Sequence, residues 1–170
     1  MFHFILKLKI LCLVILALSA TSKPSDEIIE ATFDDWLKVC TRSVQNCVGV
    51  TFAENESGKR VARFVLDLAP TGRAEIKAFG TLLIPYETAI PHLLSGIIMK
   101  LDQQDPIKEQ FYFCDKNGCN VRYQFTADGL NLIKSGSNIL IKFKDVRNLK
   151  TIKTMDISLQ GIKPLLISIE

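Results

Sequence analysis

After residue 32 the chain reads as short runs of alternating apolar and polar residues, broken every 8–12 residues or so by turn chemistry, the pattern of half-buried strands. The segment Phe33–Cys40 predicts a first strand, with Phe33, Trp36, Val39 and Cys40. Polar residues 41–46 predict a turn. Cys47–Phe52 predicts a second strand, with Val48, Val50 and Phe52 in alternation. Val61–Ala69 and Ala74–Ile84 follow as strands, separated by Pro70-Thr71-Gly72. Pro85 and Pro91 exclude a central strand between them. Gly96–Asp102 is a further short strand, and Gln103–Lys108 a polar loop.

The strongest local signal lies in Glu109–Phe125. Phe111 and Phe113 precede Asp115-Lys116-Asn117-Gly118, and Val121, Tyr123 and Phe125 follow it. Asn-Gly between two alternating runs predicts a hairpin. Asp128–Ser135 predicts a helix capped by Asp128 and stopped at Gly136. Asn138–Val146 alternates Ile139, Ile141 and Phe143 against Leu140, Lys142 and Lys144. Thr151–Leu159 is the last strand, and Ile162–Ile169 closes the chain. These elements predict one mainly β domain, an antiparallel sandwich-like fold with one or two short helices. Its expected core includes Trp36, Val50, Val65, Phe113, Val121, Ile141, Phe143 and Leu159.

The first segment changes the picture by adding a compartment. Lys7 and Lys9 precede the unbroken apolar run Ile10–Leu18, and small residues follow at Ser19, Ala20, Thr21 and Ser22. This is the order of a secretory signal, and the run is short for a bilayer span. We therefore read residues 1–22 as a Sec-type signal peptide, with the mature chain beginning between Ala20 and Lys23. Residues 23–32 then form a polar leader expected to lack stable structure, and residues 33–170 form the domain. Leu11 before Cys12 argues against lipoprotein processing. The expected location is the periplasm, the cell surface or the surrounding medium, with no transmembrane span after cleavage.

Cysteine usage agrees with export. Cys12 leaves with the signal, and Cys40, Cys47, Cys114 and Cys119 remain. An even number in an exported chain predicts disulfides, and the gaps suit zinc knuckles poorly. Three pairings are open in principle. The hairpin places Cys114 opposite Cys119, and the strand-turn-strand reading does the same for Cys40 and Cys47, so local bridges are expected.

Charge excludes little. The whole chain has 21 basic and 18 acidic residues; loss of Lys7 and Lys9 leaves 19 against 18, too balanced for a nucleic-acid-binding domain. One local excess stands out: Lys142, Lys144, Arg147, Lys150 and Lys153 gather in 12 residues with Asp145 as the lone acid. Strand alternation puts Lys142 and Lys144 on one face. Such a face suits an anionic lipid, a glycan or an acidic protein, and it equally suits a solvated sheet face whose lysines discourage aggregation.

Catalytic chemistry is sparse. Only His92 survives signal removal; nucleophile elbows, phosphate loops and histidine metal spacing are absent. Asp34-Asp35, read as strand neighbours, should diverge, and Asp102 with Asp105 reads as a loop. No catalytic residue, cofactor or metal is assigned, and the chain is expected not to be an enzyme.

Several pieces together resemble the invasion-associated locus B family. They are Phe33-Asp34-Asp35-Trp36 with Cys40 and Cys47; Leu83-Ile84-Pro85-Tyr86; Leu93-x-x-Gly96; Lys100-Leu101-Asp102; Phe113-Cys114-x-x-Asn117-Gly118-Cys119; and Ile157-Ser158-Leu159-Gln160-Gly161-Ile162. Gly161-Ile162 replaces the family's usual Gly-Phe, and Pro164 lies in the closing segment. The resemblance implies a β-sandwich-like domain exported by a Gram-negative bacterium, with a role in virulence through host-cell invasion. The expected function is a non-catalytic binding domain, its partner a host-cell surface or a bacterial envelope component. The alternative is a periplasmic structural or stress-related envelope factor without host contact.

Overall fold

The computed structural model describes residues 26–42, 46–70 and 75–170. The predicted signal peptide and residues 23–25 of the leader lie outside them. Eleven strands form one antiparallel sheet: β1 (Glu27–Phe33), β2 (Trp36–Thr41), β3 (Asn46–Glu54), β4 (Arg60–Leu68), β5 (Ala78–Ile84), β6 (Ile97–Leu101), β7 (Ile107–Glu109), β8 (Phe113–Asp115), β9 (Gly118–Phe125), β10 (Asn138–Asp145) and β11 (Asn148–Ser158). Helix α1 (Ala127–Ser135) joins β9 to β10, and α2 (Ile162–Ile169) ends the chain.

The spatial order is β7-β6-β10-β11-β3-β4-β5-β9-β8, with β2 also on β3 and β1 on β2. Residues 110–112 join the two ends of this path, so the sheet curls back on itself as a sandwich. The lower layer is β1-β2-β3-β4-β5-β9-β8. The upper layer is β7-β6-β10-β11. They are continuous through residues 110–112 and through a single β3–β11 pairing, Glu54 with Asp156. The mainly β expectation therefore holds, helices included.

The core fills the space between the layers. Trp36, Phe64, Leu66, Leu82, Val121 and Tyr123 from below meet Ile97, Met99, Ile139, Ile141, Phe143, Met155 and Ile157 from above. Trp36 is fully buried, with its indole edge-on to Phe64 and Nε1 donating to the Ser158 carbonyl at 3.0 Å. Gly49 and Gly80 leave room for large neighbours: a Cβ at Gly49 would strike the Leu165 side chain, and one at Gly80 would come within 2.7 Å of Phe64.

Four expectations need correction. Residues 27–32 of the leader are ordered as most of β1, because Asp34 and Asp35 are a tight turn rather than strand neighbours. Asp34 takes a left-handed φ of 49°, which Asp tolerates, and Phe33 pairs with Trp36. Phe113 is 48% exposed. Register explains it: Phe113 opposes Asn120, in the row that continues through Leu83 to Arg63, whereas the inward row contains Val121, Leu82 and Phe64. Val65 is only half-buried and lies outside the core, opposite Thr81 and Val50. Thr126, not Asp128, caps α1, accepting from the Gly129 amide.

The closing segment is α2, with Pro164 in its first turn, where a missing N–H costs nothing. Gly161 starts it at φ 87°, and a Cβ there would collide with the Phe33 carbonyl. Ile162, Leu165 and Leu166 are buried against the lower layer.

A basic sheet face and an adjoining cleft

Register decides where the predicted cations go. Directly paired residues point to the same side of an antiparallel sheet. On the upper layer the inward rows are Ile97–Phe143–Lys153 and Met99–Ile141–Met155. The outward rows are Lys108–Ile98–Lys142–Thr154, Lys100–Leu140–Asp156 and Lys144–Ile152. The outer face thus carries Lys100, Lys108, Lys142 and Lys144 across three strands. Ile98 (40% exposed) and Ile152 (56% exposed) sit among them. Two carboxylates meet this face: Asp156, which accepts a hydrogen bond from Asn138 Nδ2 at 2.8 Å, and Glu56, which accepts one from the Thr154 hydroxyl at 2.9 Å.

The five cations singled out in the sequence do not form one cluster. Lys142 and Lys144 share the outer face. Lys150 is exposed in the bulge of β11 opposite the end of β10. Arg147 is committed to Asp145: Nε lies 3.0 Å from both carboxylate oxygens and Nη2 2.5 Å from one of them. The hydrogen bond from the Arg147 side chain is the main cause that holds the Asp145 carboxyl below its ordinary pKa. Lys153 points the other way, on the inward side beside Phe143.

Lys153 faces a cleft of about 540 Å³. The cleft exists because β11 pairs with β3 at only one position and then diverges. Phe52, Val61, Ala62, Phe143 and Met155 give it an apolar lining. Lys59, Arg60 and Arg63 stand with Lys153 around it, and Glu87 is the one acid among the lining residues. Pro85–Thr88 forms a wall. Thr88 Oγ1 donates to the Val61 carbonyl at 2.5 Å, and Arg147 Nη2 donates to the Thr88 carbonyl at 3.1 Å. The Asp145–Arg147 pair therefore holds the cleft wall in place.

The remaining candidates have local structural roles. Both disulfides are formed as expected, Cys40–Cys47 across β2–β3 and Cys114–Cys119 across β8–β9. Each joins residues directly opposed in the ladder. Glu30 approaches Cys40 and Cys47, but both sulfurs are consumed in the bridge. Asp102 accepts from the backbone amides of Ser137 and Asn138, each at 3.0 Å. His92 Nδ1 meets Ser95 Oγ at 2.7 Å within the turn at Leu93–Ser95. Among the described residues, no helix is long and apolar enough to cross a membrane.

Sequence reasoning missed Lys59, Arg60, Arg63, Lys100 and Lys108. Lys100 and Lys108 lie 42 and 34 residues before Lys142 in sequence; only the order β7-β6-β10 brings them beside it. The cleft cations come from the β3–β4 hairpin, about 90 residues before Lys153, so no local motif joins them.

The profile of the invasion-associated locus B family matches residues 36–168. The chain belongs to this family. The invasion-associated locus B fold is seen directly in the crystal structure of invasion associated protein B from Bartonella henselae. That structure superposes with a TM-score of 0.68 at 15% sequence identity, over 82% of this chain and 94% of that one. At such identity the likeness is one of fold. No curated protein matches the sequence. Family membership and the two bridges agree with an exported protein.

Proposed function

We propose that this member of the invasion-associated locus B family is a non-catalytic binding domain, exported by its N-terminal signal, that docks on anionic lipid surfaces of the envelope or of a host cell. The observation that carries the reading is the outer face of the upper layer. Lys100, Lys108, Lys142 and Lys144 project from one side of three adjacent strands, with exposed Ile98 between Lys108 and Lys142 and exposed Ile152 beside Lys144 on the next strand. Lysines attract an anionic leaflet at about 1 kcal/mol each, and exposed apolar side chains add a short-range contact at the interface. Invasion associated protein B of Bartonella henselae supports a role toward host cells through its name.

Co-sedimentation with anionic and neutral vesicles tests the reading. Oxidised mature protein should bind anionic vesicles only, and lose them as salt shortens the Debye length to about 3 Å at 1 M. Changing Lys108, Lys142 and Lys144 to Gln should weaken binding on the order of a hundredfold without altering the melting temperature. Equal binding by the triple variant, or indifference to salt, would refute the lysine face. Protease shaving of intact cells separates surface display from a purely periplasmic envelope role.

A further inference from the structure

We infer that the cleft between the β3–β4 hairpin and β11 is a separate site for a single-chain amphiphile with an anionic head. The cleft is reached from the inward side of the upper layer through Phe143, Lys153 and Met155 and meets the lysine face only at Thr154. The cleft volume, about 540 Å³, falls within the range of small-molecule sites, and such sites are mostly apolar with a few placed polar groups. Half-buried Phe52 and Val61 offer an apolar surface for a chain, and the edges of the buried core residues Phe143 and Met155 form its floor. The head is chosen by charge. Arg60 lies 3.9 Å from Glu54 and stacks over Phe52 at 5.0 Å, and Arg63 lies 3.5 Å from Glu27. Lys59 and Lys153 have no carboxylate within 4.0 Å among the described residues. Glu87 is the one acid in the lining. An incoming anion therefore finds two lysines without competing partners.

The geometry favours a flexible chain over an added peptide strand. The free edge of β11 runs along the cleft, but Thr154 Oγ1 bonds Glu56 Oε1 at 2.9 Å and draws the β3–β4 turn across that edge. A peptide would have to break this contact to pair with β11. An alkyl chain needs no backbone partners and can lie beneath the turn.

Calorimetric titration of the oxidised mature protein tests the assignment, using octanoate, decanoate, decyl phosphate and decanol below their aggregation limits. Decanoate or decyl phosphate should bind, the tighter of the two identifying the head as carboxylate or phosphate. Affinity should rise up to about fourfold for each added methylene. Lys59→Gln with Lys153→Gln, both exposed positions, should lower it roughly fivefold to tenfold with an unchanged circular dichroism spectrum. The variant at Lys108, Lys142 and Lys144 should bind as the wild type does. Decanol binding as tightly as decanoate, affinity indifferent to chain length, or loss of binding only in the outer-face variant would overturn the site.

Discussion

The two layers of the sandwich solve different problems. The lower layer, β1-β2-β3-β4-β5-β9-β8, holds both disulfides, Trp36 and the packing surfaces of both helices. The upper layer, β7-β6-β10-β11, contains no cysteine, receives no comparable helix contact and shows its outer face to solvent with four lysines. Covalent staples and helix packing thus sit in the layer where cations lie close to carboxylates, Lys38 with Glu30, Arg60 with Glu54 and Arg63 with Glu27. The layer with the lysine face is held by its own ladder and by the shared core. The difference teaches that outer-face lysines can change without touching what keeps the fold together, so binding and stability should separate in experiment.

The largest break in this comparison comes from removing the staples. Loop-closure entropy gives each short disulfide about 2–2.5 kcal/mol, so loss of both costs about 4–5 kcal/mol. Against a typical stability of about 5–15 kcal/mol this is severe. Amide exchange after reduction should accelerate first in β1, β2 and β8, with Asn138–Asp145 of β10 the last to lose protection. Simultaneous loss in β10 would show that the layers do not differ in local stability.

Trp36→Ala comes next, at about 3–5 kcal/mol. The indole is wholly buried, meets Phe64 edge-on and bonds a carbonyl of β11. Denaturant unfolding measures the loss. Because this contact crosses between layers, Trp36→Phe should retain packing and lose mainly the bond to Ser158. A melting temperature unchanged in Trp36→Ala would contradict the burial.

How far these features were legible depended on range. Alternation revealed the strands, and Asn117-Gly118 between Cys114 and Cys119 revealed both a hairpin and its bridge. Trp36 was readable as core because an aromatic beside Cys40 has few other uses in a small exported domain. Long-range register was not readable. Phe113 alternates as convincingly as Val121, yet a row shared with Asn120, Leu83 and Arg63 points it outward. Arg147 looked like one more free cation, and Asp145 two residues away was the overlooked signal. The cleft was invisible because it arises from a divergence of β11 and β3, which no segment encodes alone.

Asp145 supplies a smaller test, at the seam between the upper layer and the cleft wall. Its carboxylate is nearly inaccessible but lies close to the surface under the Arg147 side chain, so solvent screening keeps its worth near 1 kcal/mol. The Arg147 hydrogen bond lowers its folded-state pKa below the unfolded value of about 3.9. The ionised pair therefore stabilises the fold above that pH, and the contribution disappears as pH falls through the folded value. Asp145→Asn should lower stability by about 1 kcal/mol at neutral pH and flatten this part of the acid limb. An acid limb identical to that of the wild type would remove Asp145 from the account.

The smallest effect should be a gain. Tyr123 lies on the inward row of β9, 2% exposed and stacked on Phe125 at 6.4 Å. Its hydroxyl has no hydrogen-bond partner among the described residues. Burial, and secondarily the charge of Glu109 from the upper layer, push its pKa well above the ordinary 10. A buried hydroxyl without a partner costs free energy that phenylalanine does not. Tyr123→Phe should therefore stabilise the protein by up to about 1 kcal/mol at neutral pH. The raised pKa adds a second readout with a definite sign. Above pH 10 the unfolded chain loses this proton while the folded protein keeps it, so wild-type stability declines as pH rises. Tyr123→Phe should lack that component of the alkaline decline, which denaturant melts at pH 9 and pH 11 would resolve. A destabilised variant with an unchanged alkaline slope would mean that the hydroxyl is satisfied in the folded protein, and that the meeting of the two layers at Tyr123 is as well matched as the rest of the core.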